Sequence, residues 1–375
     1  MIDPQQLPLF ITGFPGDPPS AVTEGAKHGF TNRDACEVSA WCWELAAQVK
    51  SLAEARGLPM ALIGGTAVQL RIDADLQRSS RDNDYLTTAT EAQVEQLMND
   101  LATKFASFPG PLFRPVRKIP GAAAVALPMV TFEVVVPALL GHRNLSGVAQ
   151  HMIKLEFHFT ESLPATETIR HIVFALADPV EQPCTVRTYQ IAMKLMTLAA
   201  DPIGLPPLRE DDLPKHTSDL DGLIKEFDLA QWPELLGTVE DLCKQEVART
   251  SLTITPGEVL AQIIARLDHW ATAPNWGLIQ AVHGQLTKLS STGPTGWRAR
   301  FRRLEFFVTC IVSGPAGQKD WADALAEERV ILANGDTPQA RAAIAAEWPA
   351  RHGIPMPNPL KSFKAEFLWW ELLGI

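Results

Sequence analysis

"RSSRDNDYLTT", Arg78 to Thr88, sets two aspartates one residue apart just ahead of Tyr85 and Leu86, which read as the start of a buried strand. Two carboxylates on so short a stretch repel each other. Such a pair persists where water solvates it or where a cation holds it together. Side chains at i and i+2 of a strand project from one face, so Asp82 and Asp84 are expected to point together while Asn83 turns aside. The competing reading is a turn ahead of a strand, because Asp and Asn favour turns for backbone reasons. On DxD alone the turn is the better reading, and the surrounding residues change that.

Upstream, "MALIGG" reads as a short buried strand broken by glycines, and "TAVQLRI" as the helix that follows it. Glycines let backbone N–H groups approach an anion closely, and a helix start carries partial positive charge. Gly64, Gly65 and Thr66 are therefore candidates to cradle phosphates, although no GxxxxGK[ST] P-loop occurs. Downstream, "TEAQVEQLMNDLATKFA" has helical spacing with Thr90 as its expected cap. Strands are expected at "TFEVVVP" and "HMIKLEFHF". The second alternates cleanly: Ile153, Leu155, Phe157 and Phe159 on one face, Lys154, Glu156 and His158 on the other. Glu156 is the candidate third carboxylate, with Lys154 beside it. Asp82, Asp84 and Glu156 are thus candidates to clamp Mg2+ (or Mn2+), ions that stabilise charge on a transferring phosphoryl group.

The chain has 375 residues, 46% hydrophobic and 20% charged, an ordinary globular composition with room for two domains. Its net charge of −10 argues against a general nucleic-acid coat but leaves room for a local basic groove. Five scattered cysteines without a CxxC pair point away from a disulfide framework or a zinc site and towards a reducing interior. "MIDPQQLPLFITGFPGDPP" lacks the basic start and apolar core of a signal peptide, so a cytoplasmic location is expected. The apolar stretch Gly121 to Leu140 is read as buried strands and not a membrane span, because of its two prolines and its β-branched run. The expected organisation is an irregular arm over 1–32, an α/β domain over 33–227 and a helical domain over 228–375.

The strand–GG[ST]–helix unit, followed by an acidic DxD strand and a third carboxylate, is similar to the layout of polymerase-β-like nucleotidyltransferases. More closely, "GGTAV…RSSRDNDYL" resembles the AbiEii-type nucleotidyltransferase toxins, with Arg78, Ser80, Asp82 and Asp84 in an R-x-S-x-D-x-D element. The likeness extends to Lys194 in "TYQIAMKLMTL" and to "PKHTSDLDGL", where Lys215 and Asp219 match and His216 replaces the usual aspartate. The resemblance implies a mixed sheet with flanking helices ahead of a helical C-terminal region. It also implies a nucleoside triphosphate substrate and transfer of its nucleotide to an acceptor hydroxyl, most simply a tRNA end, by a toxin with a cognate antitoxin. On that reading Asp82, Asp84, Glu156, Lys194 and Asp219 carry the chemistry. Gly64, Gly65, Thr66, Arg78, Ser80, Lys154 and Lys215 bind the nucleotide.

Lys194 also stands out without the family. Ile191, Met193, Leu195, Met196 and Leu198 surround it, and an ammonium buried among them needs an anion or a path to water. Asp219, Glu156 and a nucleotide phosphate are the candidate anions. Asp219 also fits a plain helix start capped by Ser218. In "WRARFRRLEF", Arg298, Arg300, Arg302 and Arg303 are candidates to track an RNA backbone, with "FRPVRK" (Phe113 to Lys118) as a second basic edge; pairing with carboxylates is the alternative. Two rival functions remain: a nucleotidyltransferase acting on a small hydroxylated molecule, and a degenerate member that binds without turnover.

Overall fold

The computed structural model describes residues 33–73, 77–78, 80–105, 114–119, 128–137, 150–171, 179–283, 293–335, 337–352 and 367–370. The arm expected at 1–32 and both ends of the Gly121 to Leu140 stretch lie outside the described residues.

Helix α1 (Arg33–Arg56) stops where Gly57 takes a φ of 63°, a left-handed conformation that a residue without Cβ adopts freely. Strand β1 (Met60–Ile63), the short helix α2 (Gly64–Gln69) and strand β2 (Asp82–Thr87) follow. Helix α3 (Glu91–Phe105) starts at the expected cap. The Thr90 hydroxyl accepts from the Gln93 N–H at 3.3 Å, and the Gln93 side chain accepts from the Thr90 N–H at 2.8 Å. Then come β3 (Arg114–Ile119), β4 (Met129–Pro137), β5 (Gln150–Phe159), β6 (Thr166–His171) and β7 (Val180–Thr185). From α4 (Arg187–Leu198) onward the described elements are helical: α5 (Leu213–Lys225), α6 (Trp232–Thr250), α7 (Pro256–Thr272), α8 (Trp276–His283), α9 (Pro294–Val312), α10 (Pro315–Asn334) and α11 (Pro338–His352).

The strands form one mixed seven-stranded sheet in the order β3-β4-β5-β2-β1-β7-β6. Strands β2 and β5 are parallel neighbours at its centre, and β1 runs antiparallel to β2 and parallel to β7. Their core faces bury Tyr85, Ile153, Leu155 and Phe157 with Trp41, Leu45 and Val49 of α1 and Val94 and Leu97 of α3. Tyr85 stacks on Phe157 with ring centroids 5.1 Å apart, which adds about 1 kcal/mol beyond area burial. The mixed sheet with flanking helices and a helical C-terminal region is the expected architecture. Strands β3, β6 and β7 were not foreseen. "RPVRKI" and "VEQPCT" each contain a proline, and "TETIRH" is a largely exposed outer strand with little apolar alternation to read.

The chain divides into two compact units whose sequence boundary falls within α4, between Gln190 and Ile191, with His283 grouped with the first. The second unit has its own core, in which Trp232, Trp297, Trp321, Phe301 and Phe307 are fully buried. Among the described residues no helix is long and apolar enough to cross a membrane.

Candidate metal and nucleotide centre

The pleat of β2 sorts the DND triplet. Asn83 turns into the core, where its amide donates to the Cys42 carbonyl of α1 at 2.8 Å, and Asp82 and Asp84 are left half-buried on the opposite face. Parallel pairing with β5 then sets Asp82 opposite Lys154 and Asp84 opposite Glu156. Lys154 is exposed and has Glu133 of β4 opposite it on the other side, so it stands in register between two acidic residues. Two residues past Glu156 on the same face is His158. One ligand atom from each of Asp84, Glu156 and His158 lies within 4.8 Å of the others, and all three side chains are half-buried. Burial holds the His158 imidazole below its ordinary pKa, favouring the neutral ring.

His158 is the member of this cluster that the sequence reading placed on the right face and did not use. The signal was its i+2 spacing from Glu156 on a cleanly alternating strand. Asp82 lies next to this cluster and not in it, and one of its carboxylate oxygens accepts from the Ser80 hydroxyl at 2.6 Å.

The glycines upstream are needed by close approach. At Gly64, whose φ is +71°, a Cβ would fall 1.8 Å from an Asp84 carboxylate oxygen. At Gly65 a Cβ would fall 2.4 Å from the Arg78 guanidinium. Thr66 is 1% exposed and its hydroxyl donates to the Asp82 carbonyl at 2.6 Å, so that donor binds α2 to β2 and does not face an outside ligand. Arg78 is 5% exposed, and its own N–H donates to the Gln69 side chain at 2.7 Å. Arg78, Ser80 and Thr66 therefore hold the loop, the helix and β2 in one register around Asp84. Cys42, under the same strand, is buried. Its thiol pKa is pushed well up, first by burial and then by the Asp82 charge, so it is no nucleophile.

In the second unit, the Lys194 ammonium donates to an Asp219 carboxylate oxygen at 2.7 Å, with side-chain exposures of 8% and 1%. His216 Nδ1 lies 3.4 Å from the same ammonium. The anion that the burial of Lys194 demanded is thus Asp219, within its own unit. Lys215 pairs with Asp212 at 2.6 Å.

The arginine run is corrected by the structure. Arg300, Arg302 and Arg303 are at most 5% exposed. Arg303 meets Glu328 at 2.8 Å and also pairs with Asp221, Arg300 meets Asp221 at 3.1 Å, and Arg302 meets both Asp268 and Glu305 at 2.6 Å. Arg298, half-buried, sits 5.0 Å over the Trp370 ring. An RNA backbone cannot displace the Arg300, Arg302 and Arg303 contacts without leaving their carboxylates unpaired, so these three residues form an internal network and no nucleic-acid track. Of the "FRPVRK" edge, Arg114 onward forms the backbone of β3, and its side chains lie outside the described residues.

The donor set suits a divalent cation. An octahedral ion at about 2.1 Å holds adjacent ligands about 3 Å and opposite ligands about 4 Å apart, so the cluster needs only a small closure to share one. Residues 52–327, which include this cluster, match the model of the nucleotidyl transferase AbiEii toxins of Type IV toxin–antitoxin systems. The chain belongs to the AbiEii family. It is a nucleotidyltransferase, and the AbiEii match includes β2, β5 and the Lys194–Asp219 pair. No curated protein matches the chain. Two Helicobacter pylori crystal structures are similar in outline. JHP933 is 15% identical, with 75% of this chain and 94% of that chain covered and a TM-score of 0.35. A second protein, assigned as a nucleotidyltransferase, is 14% identical, with 75% and 97% covered and a TM-score of 0.36. The AbiEii match carries the assignment without them.

Proposed function

We propose that this AbiEii protein moves a nucleoside monophosphate from a nucleoside triphosphate to an acceptor hydroxyl at the Asp84–Glu156 face of the sheet. The observation that carries the reading is the meeting of Asp84, Glu156 and His158 beside Gly64. Asp84 and Glu156, with Asp82 next to them, would hold Mg2+ or Mn2+; the ion would neutralise charge developing on the phosphates. The missing side chain at Gly64 lets the Asp84 carboxylate close up against the start of α2, and the exposed Lys154 offers the triphosphate a cation at the rim. Glu156, half-buried, is the group we assign to accept the acceptor's proton. Asp219 is 1% exposed and bound to Lys194, and we assign that pair to fixing the helices that carry it.

The acceptor we propose is a tRNA end, as the resemblance to translation-blocking toxins implies, with an antitoxin as the controlling partner. A second reading, a small hydroxylated acceptor, is favoured by the net charge of −10 and by the internal pairing of the arginine run. Incubation with labelled triphosphates, divalent metal and either total tRNA or a panel of small alcohols distinguishes the two. Label on tRNA that disappears with Asp84→Asn is the expected result. Label on neither acceptor class, with no pyrophosphate release, overturns the nucleotidyl-transfer reading for this site.

A further inference from the structure

The third member of the cluster is an imidazole, and that has a consequence for the choice of ion. A site built of carboxylates alone suits Mg2+, a small hard ion that prefers oxygen ligands and gives up its water reluctantly. Imidazole nitrogen is a poor partner for Mg2+ and a good one for first-row transition metals. His158 lies on β5 two residues from Glu156, opposite Leu86 of β2 and Met129 of β4. Its ligand atom shares the 4.8 Å cluster with Asp84 and Glu156.

We propose that His158 ligates the divalent ion together with Asp84 and Glu156, and that this nitrogen makes the centre select Mn2+ over Mg2+. The proposal rests on the metal-site reading above and adds to it the identity of one ligand and of the preferred ion. Two oxygens and one nitrogen leave the remaining coordination positions of an octahedral Mn2+ for water and phosphate oxygens. The geometry comes from the register of β2 with β5, so the preference belongs to the sheet itself and does not depend on a mobile loop.

The test uses the full chain and Mn2+ alone, without nucleotide. Mn2+ is titrated by the electron paramagnetic resonance signal of the free ion, with Mg2+ as competitor, and pulsed measurements on the bound ion report coupling to a directly ligated nitrogen. The expected result is one tight Mn2+ site with nitrogen coupling. His158→Gln should remove the coupling and weaken Mn2+ by about tenfold or more, with Mg2+ affinity within about twofold of the parent. His158→Asp, a folded site with a third oxygen, should bind both ions and narrow the Mn2+ over Mg2+ preference by about tenfold. Bound Mn2+ without nitrogen coupling in the parent, or an unchanged preference in His158→Asp, overturns the role of His158 while leaving the carboxylate site standing. If Asp84→Asn fails to weaken Mn2+ binding, the metal site itself is misplaced, and both readings fall together.

Discussion

Two charged clusters among the described residues are built on opposite rules. On the sheet, the converging groups of Asp84, Glu156 and His158 are all of the kind that donate electron pairs to a cation. In the second unit, Arg300 and Arg303 alternate with Asp221 and Glu328, each cation meeting a carboxylate inside the protein. The second arrangement balances its charge within the fold, so its role is to hold helices together. The first brings two carboxylates and an imidazole to one place, the donor set of a divalent cation. Burial alone does not separate the two. The kinds of side chain that meet do.

The sharpest way to break this contrast is at Asp84. Asp84→Asn should lower nucleotidyl transfer by on the order of 10³-fold, measured by pyrophosphate release, with the urea midpoint nearly unchanged. A comparable loss of stability would put Asp84 in the structural class with Asp221. The converse holds for Arg303→Ala. It leaves Asp221 and Glu328 short of a buried counter-charge and should cost about 3–5 kcal/mol in urea unfolding.

Gly64→Ala tests the close approach. Its φ is positive and its new methyl would press on the Asp84 carboxylate, so activity should fall by about 100-fold, with a smaller effect on folding. The acid limb of stability gives a further test. Burial alone would raise the Asp221 pKa, but the Arg303, Lys225 and Arg300 charges outweigh it and hold the carboxyl well below its usual range. A depressed folded pKa means the contribution is complete above the unfolded value of about 4 and is lost as pH falls from there towards the folded one. Urea midpoints should therefore fall steeply below about pH 4, and Asp221→Asn should flatten that slope. The smallest effect belongs to an ordinary surface pair. Lys50→Ala, which removes the bridge to the exposed Glu181, should change stability by about 0.5 kcal/mol or less.

Much of the sheet site was legible in the sequence because strand periodicity is local. The alternation of "HMIKLEFHF" put Glu156 and His158 on one face, and DND put Asp82 and Asp84 together. The pairing of β2 with β5 was not legible as a register, because parallel neighbours so distant in sequence leave no local mark. The arginine run misled for a related reason. Trp297, Phe301, Leu304 and Phe307 of the same helix are buried, and the carboxylates that make burial of the arginines tolerable come from Asp221, Asp268 and Glu328 on other helices. The choice between a solvated basic face and an internal lattice of charge depends on those distant partners. Lys194 was decided the same way, by Asp219.

Because Asp84 comes from β2 and Glu156 and His158 from β5, the centre does not exist until the chain has been made through β5. During synthesis, β1 and β2 emerge with nothing beside them to complete the cluster, and a chain interrupted before Gln150 carries one side of it only.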